Sequence, residues 1–465
     1  MLCFNKRRGL LPAVLIGIAA GGLATQAAAQ SEKQEQPIPE SVTKSLVAIE
    51  RAFTAPTPAP LTLFPKIRDE MQDAPAFLRD SKAAFNLRTY YRDNVTNSPT
   101  GAGWNEAWAA GGSFAFETGR LFDRISGGLV LYTSFPVYAP LDHDGTGLLK
   151  PGQQQYGVLG QLYGKFRITD EHEFIAGRYL YDTPFIGPQD NRMSPKTFYG
   201  YVLHGSFGNE ESGGPYFRYG GGYIAAMKDR NSTDFISMSQ VAGAADPRGT
   251  GVFGGLFSWG PFRIGGIEYF TQDTINIVYG EAKYGANLAP DLNAVLAAQF
   301  ADQHSTGMEL LNGGVPFGTN QFGAQLQLGY QTAILTAAYT VVNPNFAMQT
   351  PWSANPFYTD AQIQAFNRAG ENTLMAGLSY GFKPLGLPGV AASVFYYNGW
   401  TNASIIGMPL SEYEWDFNLE WRPDWKPLPG LWFRARYGYS WTSQANMVTT
   451  VDEVRLTVNY AIKMY

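Results

Sequence analysis

One recurring arrangement in this sequence could do chemistry: arginines on the polar face of segments that alternate apolar and polar side chains. Arg434 and Arg436 flank Ala435 in the segment Leu431 to Trp441, where Leu431, Phe433, Ala435, Tyr437, Tyr439 and Trp441 form the opposite set. In an extended strand every second side chain shares a face, so the two guanidiniums stand about 6.6–7 Å apart. Each offers a planar fork of donors that can hold a carboxylate through two hydrogen bonds. The same parity sets Asn86, Arg88, Tyr90 and Arg92 against Phe85, Leu87, Thr89 and Tyr91. It sets Gln161, Tyr163, Lys165 and Arg167 against Val158, Leu162, Phe166 and Ile168, and Arg178 against Ile175, Tyr179 and Tyr181. Arg455 stands opposite Val454, Leu456 and Val458, while Arg192 lies in a stretch with Pro184, Pro188, Pro195, Asp182 and Asp190. If the charged faces line one wet conduit, these arginines with Tyr90 and Tyr163 form successive anion sites, each weak enough to release its ligand. The competing reading pairs the arginines with Glu414, Asp416 and Glu420 to stiffen the structure.

Enzymatic chemistry has no comparable arrangement. Of the four histidines, His172 sits in the turn Asp170-Glu171-His172-Glu173, and none accompanies a serine-nucleophile motif. His143, in Leu141-Asp142-His143-Asp144-Gly145, lacks the remaining ligands of a cation loop. No catalytic residue, metal or cofactor is expected, and a membrane-embedded hydrolase is the least favoured alternative.

The elements that must position these residues are strands. Ser411 to Arg422 alternates strictly, with Tyr413, Trp415, Phe417, Leu419 and Trp421 on one side and Glu412, Glu414, Asp416, Asn418, Glu420 and Arg422 on the other. An aromatic face opposite an ionised one suits a barrel wall with lipid outside and water inside. About eighteen such segments follow residue 81, and the odd-numbered connections between them are mostly long. Asn94–Asn105, Pro136–Gln153, Asp182–Pro195, Asp229–Gly249, Gln303–Asn320 and Val341–Gly370 are the long connections, and Gln272-Asp273 is a short exception. Even-numbered connections such as Trp259-Gly260 are short. Short periplasmic turns and long external loops are expected of outer-membrane barrels.

Composition agrees. Mean hydropathy is only −0.18, because half of each strand would be polar, and aromatic residues make up 14%. Residues 1–29 carry a basic start (Lys6, Arg7, Arg8), an apolar run and Ala27-Ala28-Ala29, the pattern of an export signal. Of the 34 basic residues, removal of those three leaves 31 against 39 acidic ones, which excludes a nucleic-acid binder. Cys3 would leave with the signal, so thiol and disulfide chemistry is excluded from the mature chain. Residues 30–80 read as a periplasmic extension, with an amphipathic helix from Pro39 to Phe53 and the proline-rich linker Ala55 to Pro60.

Five segments, in order, resemble the OprD family of substrate-specific outer-membrane porins. They are Asp80-Ser81-Lys82 with Asn86 to Asn94, Asp144 to Leu149, Asn191 to Phe198, Gly430 to Arg436, and Asp452 to Tyr460. The resemblance spans roughly residues 78–465 and is weakest between Gly208 and Gly370. It implies a barrel of eighteen strands with inward-folded loops, passing small carboxylates, amino acids, aromatic acids or, in one branch, sugar oligomers.

The expectation is therefore an all-β protein whose residues 81–465 form a transmembrane antiparallel barrel of about 18 strands. It would be a passive outer-membrane porin for small anionic or zwitterionic solutes, in contact with lipid and lipopolysaccharide, with oligomeric state left open. The runner-up is a sugar-oligomer channel stacking its solute on Tyr90, Tyr163, Tyr199 and Trp432.

Overall fold

The computed structural model describes residues 60–465 apart from 211–212, 402–408 and 446. The expected export signal and the helix Pro39 to Phe53 with most of its linker lie outside the described residues. Eighteen strands build the wall: β1 (Lys82–Ser98), β2 (Gly101–Glu117), β3 (Ile125–Tyr138), β4 (Tyr156–Arg167), β5 (His172–Tyr179), β6 (Thr197–Phe207), β7 (Tyr216–Lys228), β8 (Thr250–Trp259) and β9 (Phe262–Thr271). The second half comprises β10 (Ile275–Ala289), β11 (Leu292–His304), β12 (Gly318–Tyr330), β13 (Ala333–Val342), β14 (Glu371–Gly381), β15 (Val390–Thr401), β16 (Leu410–Trp421), β17 (Leu431–Gln444) and β18 (Met447–Lys463). Each pairs antiparallel with its sequence neighbours, and β18 pairs back onto β1 from Lys463 opposite Ala84 to Thr450 opposite Asn97. Closure leaves no wall strand with an open edge.

The distribution of charge is inverted relative to a water-soluble protein. On β16, Glu412, Glu414, Asp416 and Glu420 are buried, whereas Trp415, Phe417, Leu419 and Trp421 are exposed. Leu162, Phe253, Leu296, Leu335 and Leu374 are likewise exposed around the wall. In water each would forgo about 1.5–3 kcal/mol of burial. Against hydrocarbon nothing is forgone, so the outer surface is one that lipid covers. No helix among the described residues is long and apolar enough to cross a membrane, so the strands do so.

The connections differ at the two ends as expected, with one correction. The stretch expected as a long loop at Asn94–Asn105 is instead a hairpin extension: β1 and β2 run 17 residues each and turn at Pro99-Thr100. Cross-strand bonds sustain it, Tyr91 donating to Glu106 (2.7 Å) and Trp104 to Asp93 (2.7 Å). The short turn at Gln272-Asp273 is real, and loop 305–317 covers it, Leu310 donating its N–H to the Asp273 carbonyl (2.8 Å).

Parity also fails in two places. A bulge at Gly160 shifts the β3–β4 register, so Val158 packs inward beside Tyr132 rather than facing lipid. A Cβ on Gly160 would stand 2.7 Å from the Tyr132 ring, which explains a glycine there. On β5, Ile175 and Tyr179, with Tyr181 just beyond, are fully buried inside the barrel, not outside it. Arg178 accordingly lies on the outer side, cross-strand from the exposed Leu162 and Tyr199.

The segment before the wall is tied to the short-turn end. Leu61–Thr62 pairs in parallel with Ile462-Lys463, and the N–H groups of Leu63 and Phe64 donate to the carbonyls of Lys463 (3.0 Å) and Met464 (2.8 Å). Two short helices, α1 (Pro65–Glu70) and α2 (Ala76–Arg79), lead into β1. The Ser81 hydroxyl meets that of Tyr465 at 2.9 Å.

Two outcomes follow from this architecture. Phe417→Arg, on the lipid face, should destabilise the barrel by about 2–4 kcal/mol in urea unfolding from lipid vesicles. Deleting residues 31–60 should leave heat-modifiable gel migration intact. Extending the deletion through Phe64 removes the backbone bonds to the last strand and should lower the midpoint of that heat-induced shift.

Candidate substrate channel

Two long loops fold into the barrel, and an apolar half of the interior holds them. Phe185 of loop 180–196 packs edge-on against Tyr269, Tyr279 and Phe357, with ring centres 5.8, 6.1 and 5.9 Å away. Phe357 belongs to loop 343–370. The two loops are joined where Lys196 Nζ donates to the Trp352 carbonyl (3.0 Å), and the Trp352 indole donates to the Met238 carbonyl (3.0 Å). Tyr358 anchors the same loop by donating to Glu281 (2.7 Å). The apolar inward residues of β5, β9 and β10 are the floor for these loops; of them, alternation assigns Ile175 and Tyr179 to lipid.

The opposite half is charged. Register places Arg436, Arg455 and Arg92 side by side across β17, β18 and β1, and Arg434 and Tyr90 both flank Thr457 in the next row. Cross-strand neighbours stand about 5 Å apart, so three like charges adjoin. Glu453 pairs with both Arg92 and Arg455. Arg434 pairs with Glu420 (3.2 Å) and donates to Asn418 (2.6 Å). Arg88 pairs with Asp190 of loop 180–196, and Arg436 donates to the Tyr90 hydroxyl (3.2 Å). The Tyr90 ring is buried among Leu148, Leu149 and Met193.

Arg192 meets this row from loop 180–196. It is buried, donates to the Asn191 carbonyl (2.8 Å), and has no carboxylate within 4 Å among the described residues. Burial, with Arg92, Arg230 and Arg455 alongside, pushes its proton affinity well below the usual guanidinium range. A guanidinium keeps its proton in such surroundings, so the stress remains as uncompensated positive potential. Arg230, after β7, lies 3.6 Å from Asp229 and donates to the Asn191 side chain (2.5 Å). Burial lowers its proton affinity too, Asp229 opposing and Arg455 and Arg92 adding to the shift. Lys196 is lowered by burial and by Arg230 and Arg192.

A family model described as outer membrane porin, OprD family, matches residues 75–464. The chain is a member of the OprD family. Its fold matches Pseudomonas aeruginosa OccK9 (OpdG) with a TM-score of 0.73 at 22% identity, covering 84% of this chain and 100% of that one. It matches P. aeruginosa OpdK, solved with vanillate, at 0.69 and 19%, and a BenF-like porin from Pseudomonas fluorescens Pf-5 at 0.71 and 18%. Each of those two matches covers 83% of this chain and 100% of the other. No curated protein matches the sequence. This OprD-family porin is thus a substrate-specific β-barrel channel of a Gram-negative outer membrane, with its long loops outside and its short turns in the periplasm.

Of the residues singled out from the sequence, Arg88, Tyr90, Arg92, Arg192, Arg434, Arg436 and Arg455 come together in the porin's charged half. Arg167 does not. It pairs with Asp170 at a periplasmic turn. Tyr163 faces inward but gives its hydroxyl to Glu117 (2.9 Å). Arg178 and Tyr199 are corrections: both lie on the outer side, and the Arg178 guanidinium sits over the Phe235 ring at 4.5 Å. Sequence reasoning missed Arg230 and Gln362, which sit in long loops with no alternation to reveal a face.

Gly147, in the connection between β3 and β4, has φ +71°, and a Cβ there would stand 3.2 Å from Arg192 Nε. Gly147→Val should therefore add about 1–2 kcal/mol of local backbone strain and displace the guanidinium. The expected result is altered single-channel conductance with heat-modifiable folding retained.

Proposed function

We propose that this porin passes small solutes bearing a carboxylate, and that Arg192 with the row Arg92, Arg455 and Arg436 selects them. The observation that carries the reading is Arg192, a buried loop guanidinium with no carboxylate within 4 Å among the described residues, set beside a row of three arginines of which two, Arg92 and Arg455, pair with Glu453. An anion arriving there relieves mutual repulsion among the guanidiniums. It gains charge-assisted hydrogen bonds, yet wall carboxylates compete for the same donors, so it leaves again. Tyr90, bonded to Arg436, offers a hydroxyl beside the row, which suits an acid carrying a further polar group. Vanillate, the ligand named for the OpdK structure, is one acid of that kind. Amino acids fit the same reading through their carboxylates.

One guanidinium acting across about 8–10 Å in an intermediate dielectric stabilises an anion by roughly 1 kcal/mol. Arg192→Gln should then lower anion-over-cation preference roughly five-fold in dilute salt, with less effect in concentrated salt. Reversal potentials in planar bilayers and benzoate uptake into liposomes measure it. Unchanged selectivity, or passage of maltooligosaccharides without benzoate, would overturn the reading.

A further inference from the structure

The inward carboxylates of β16 should give the lumen a negative wall. The structure instead turns Glu412, Glu414 and Asp416 to loop 343–370 and leaves Glu420 to Arg434. Glu414 accepts the backbone N–H groups of Ile363 and Gln364 (2.7 Å each), and Asp416 accepts that of Gln362 (2.9 Å). The Gln362 amide donates to Glu453 (3.2 Å), while Arg455 donates to the Gln362 carbonyl (3.1 Å). Further along, Arg368 pairs with Glu412 (3.1 Å) and gives its N–H to Glu371 (3.0 Å).

These bonds change which charges a solute meets. The side chains of Glu412 and Glu453 keep only 1% of their surface, and Glu414 is fully buried. By contrast Arg88 keeps 15%, Arg92 13%, Arg230 20% and Arg368 39%, and Asp190, paired with Arg88, keeps 10%. Backbone N–H groups satisfy a carboxylate without bringing a formal cation. The loop therefore hides Glu414 and Asp416 while Arg88, Arg92, Arg230 and Arg368 stay partly exposed.

We infer that loop 343–370 sets the sign of the pore's charge preference. Seated, its amides mask Glu414 and Asp416, and cations line the conduit. Lifted, it exposes both carboxylates and widens the lumen, giving a pore of higher conductance that favours cations. The inference takes the anion preference proposed above as its starting state but is read from a change between two channels.

The test removes the two N–H donors that hold Glu414. Ile363→Pro with Gln364→Pro takes away both, since proline has none. In bilayers with dilute salt the proline variant should show higher conductance and a shift of roughly ten-fold toward cations relative to the parent, shrinking in concentrated salt. Adding Glu414→Gln and Asp416→Asn to it should abolish the cation shift and keep the higher conductance. Heat-modifiable migration reports folding. If the proline variant does not fold, Glu414→Ala with Asp416→Ala in the parent serves instead: alanine offers no side-chain acceptor, the loop loses its latch, and conductance should rise with anion preference retained. Parent-like conductance and selectivity in the folded proline variant would overturn the inference. So would a cation shift that survives loss of both carboxylates, or unchanged conductance when both side chains are cut back to alanine. A parent without anion preference would instead count against the carboxylate reading, while the shift between parent and variant still tests the loop.

Discussion

A chain crossing hydrocarbon must satisfy every backbone N–H and carbonyl internally, and a sheet does so only by closing on itself. The pairing of β18 with β1 is therefore the condition on which the rest of this porin depends. Once the cylinder is closed, one face of each strand meets lipid and the other meets the lumen. Acids and arginines have one place to go. The dense charge on β16, β17, β18 and β1 follows from that partition before any solute is considered.

Charge so concentrated needs internal partners, and the two halves of the lumen meet that need differently. The apolar half is a floor on which loops 180–196 and 343–370 settle through Phe185, Trp352 and Phe357. The charged half receives the far edges of the same loops. Asp190 reaches Arg88, and the amides of residues 362–364 reach Asp416 and Glu414. One loop thus brings an acid to a basic wall and the other brings neutral donors to an acidic one. The consequence is that Arg192, buried beside the arginine row, has no carboxylate within 4 Å among the described residues.

Of the two readings weighed for the arginine series, ion pairing within the wall describes part of it. Arg434 with Glu420 and Arg92 with Glu453 pair across neighbouring strands, while Arg455 pairs with Glu453 along β18. Removing one partner of such a buried pair strands the other charge, so stability and selectivity are mixed in those positions. Arg192 is on a loop, outside the strand ladder, and its charge is separable from the wall.

Strand parity by itself determined most of the wall. Eighteen strands, their order, the lipid face of β16 and the inward set Arg88, Tyr90, Arg92, Arg434, Arg436 and Arg455 were all legible, because side-chain direction in a strand has a period of two. The OprD resemblance pointed to the same residues near both ends of the chain. Parity failed where its assumption failed, that an apolar face means lipid. Ile175, Tyr179 and Tyr181 face inward because loops folded into the lumen need an apolar floor, and Arg178 is turned outward with them. Gly160 inserts one residue, and a single insertion flips every side chain beyond it, as Val158 shows. Which acid meets which arginine, and that loop amides cover Glu414 and Asp416, only the tertiary structure decided. Those contacts join residues tens to hundreds of positions apart through loops with no repeating pattern, and no local periodicity encodes where such a loop comes to rest.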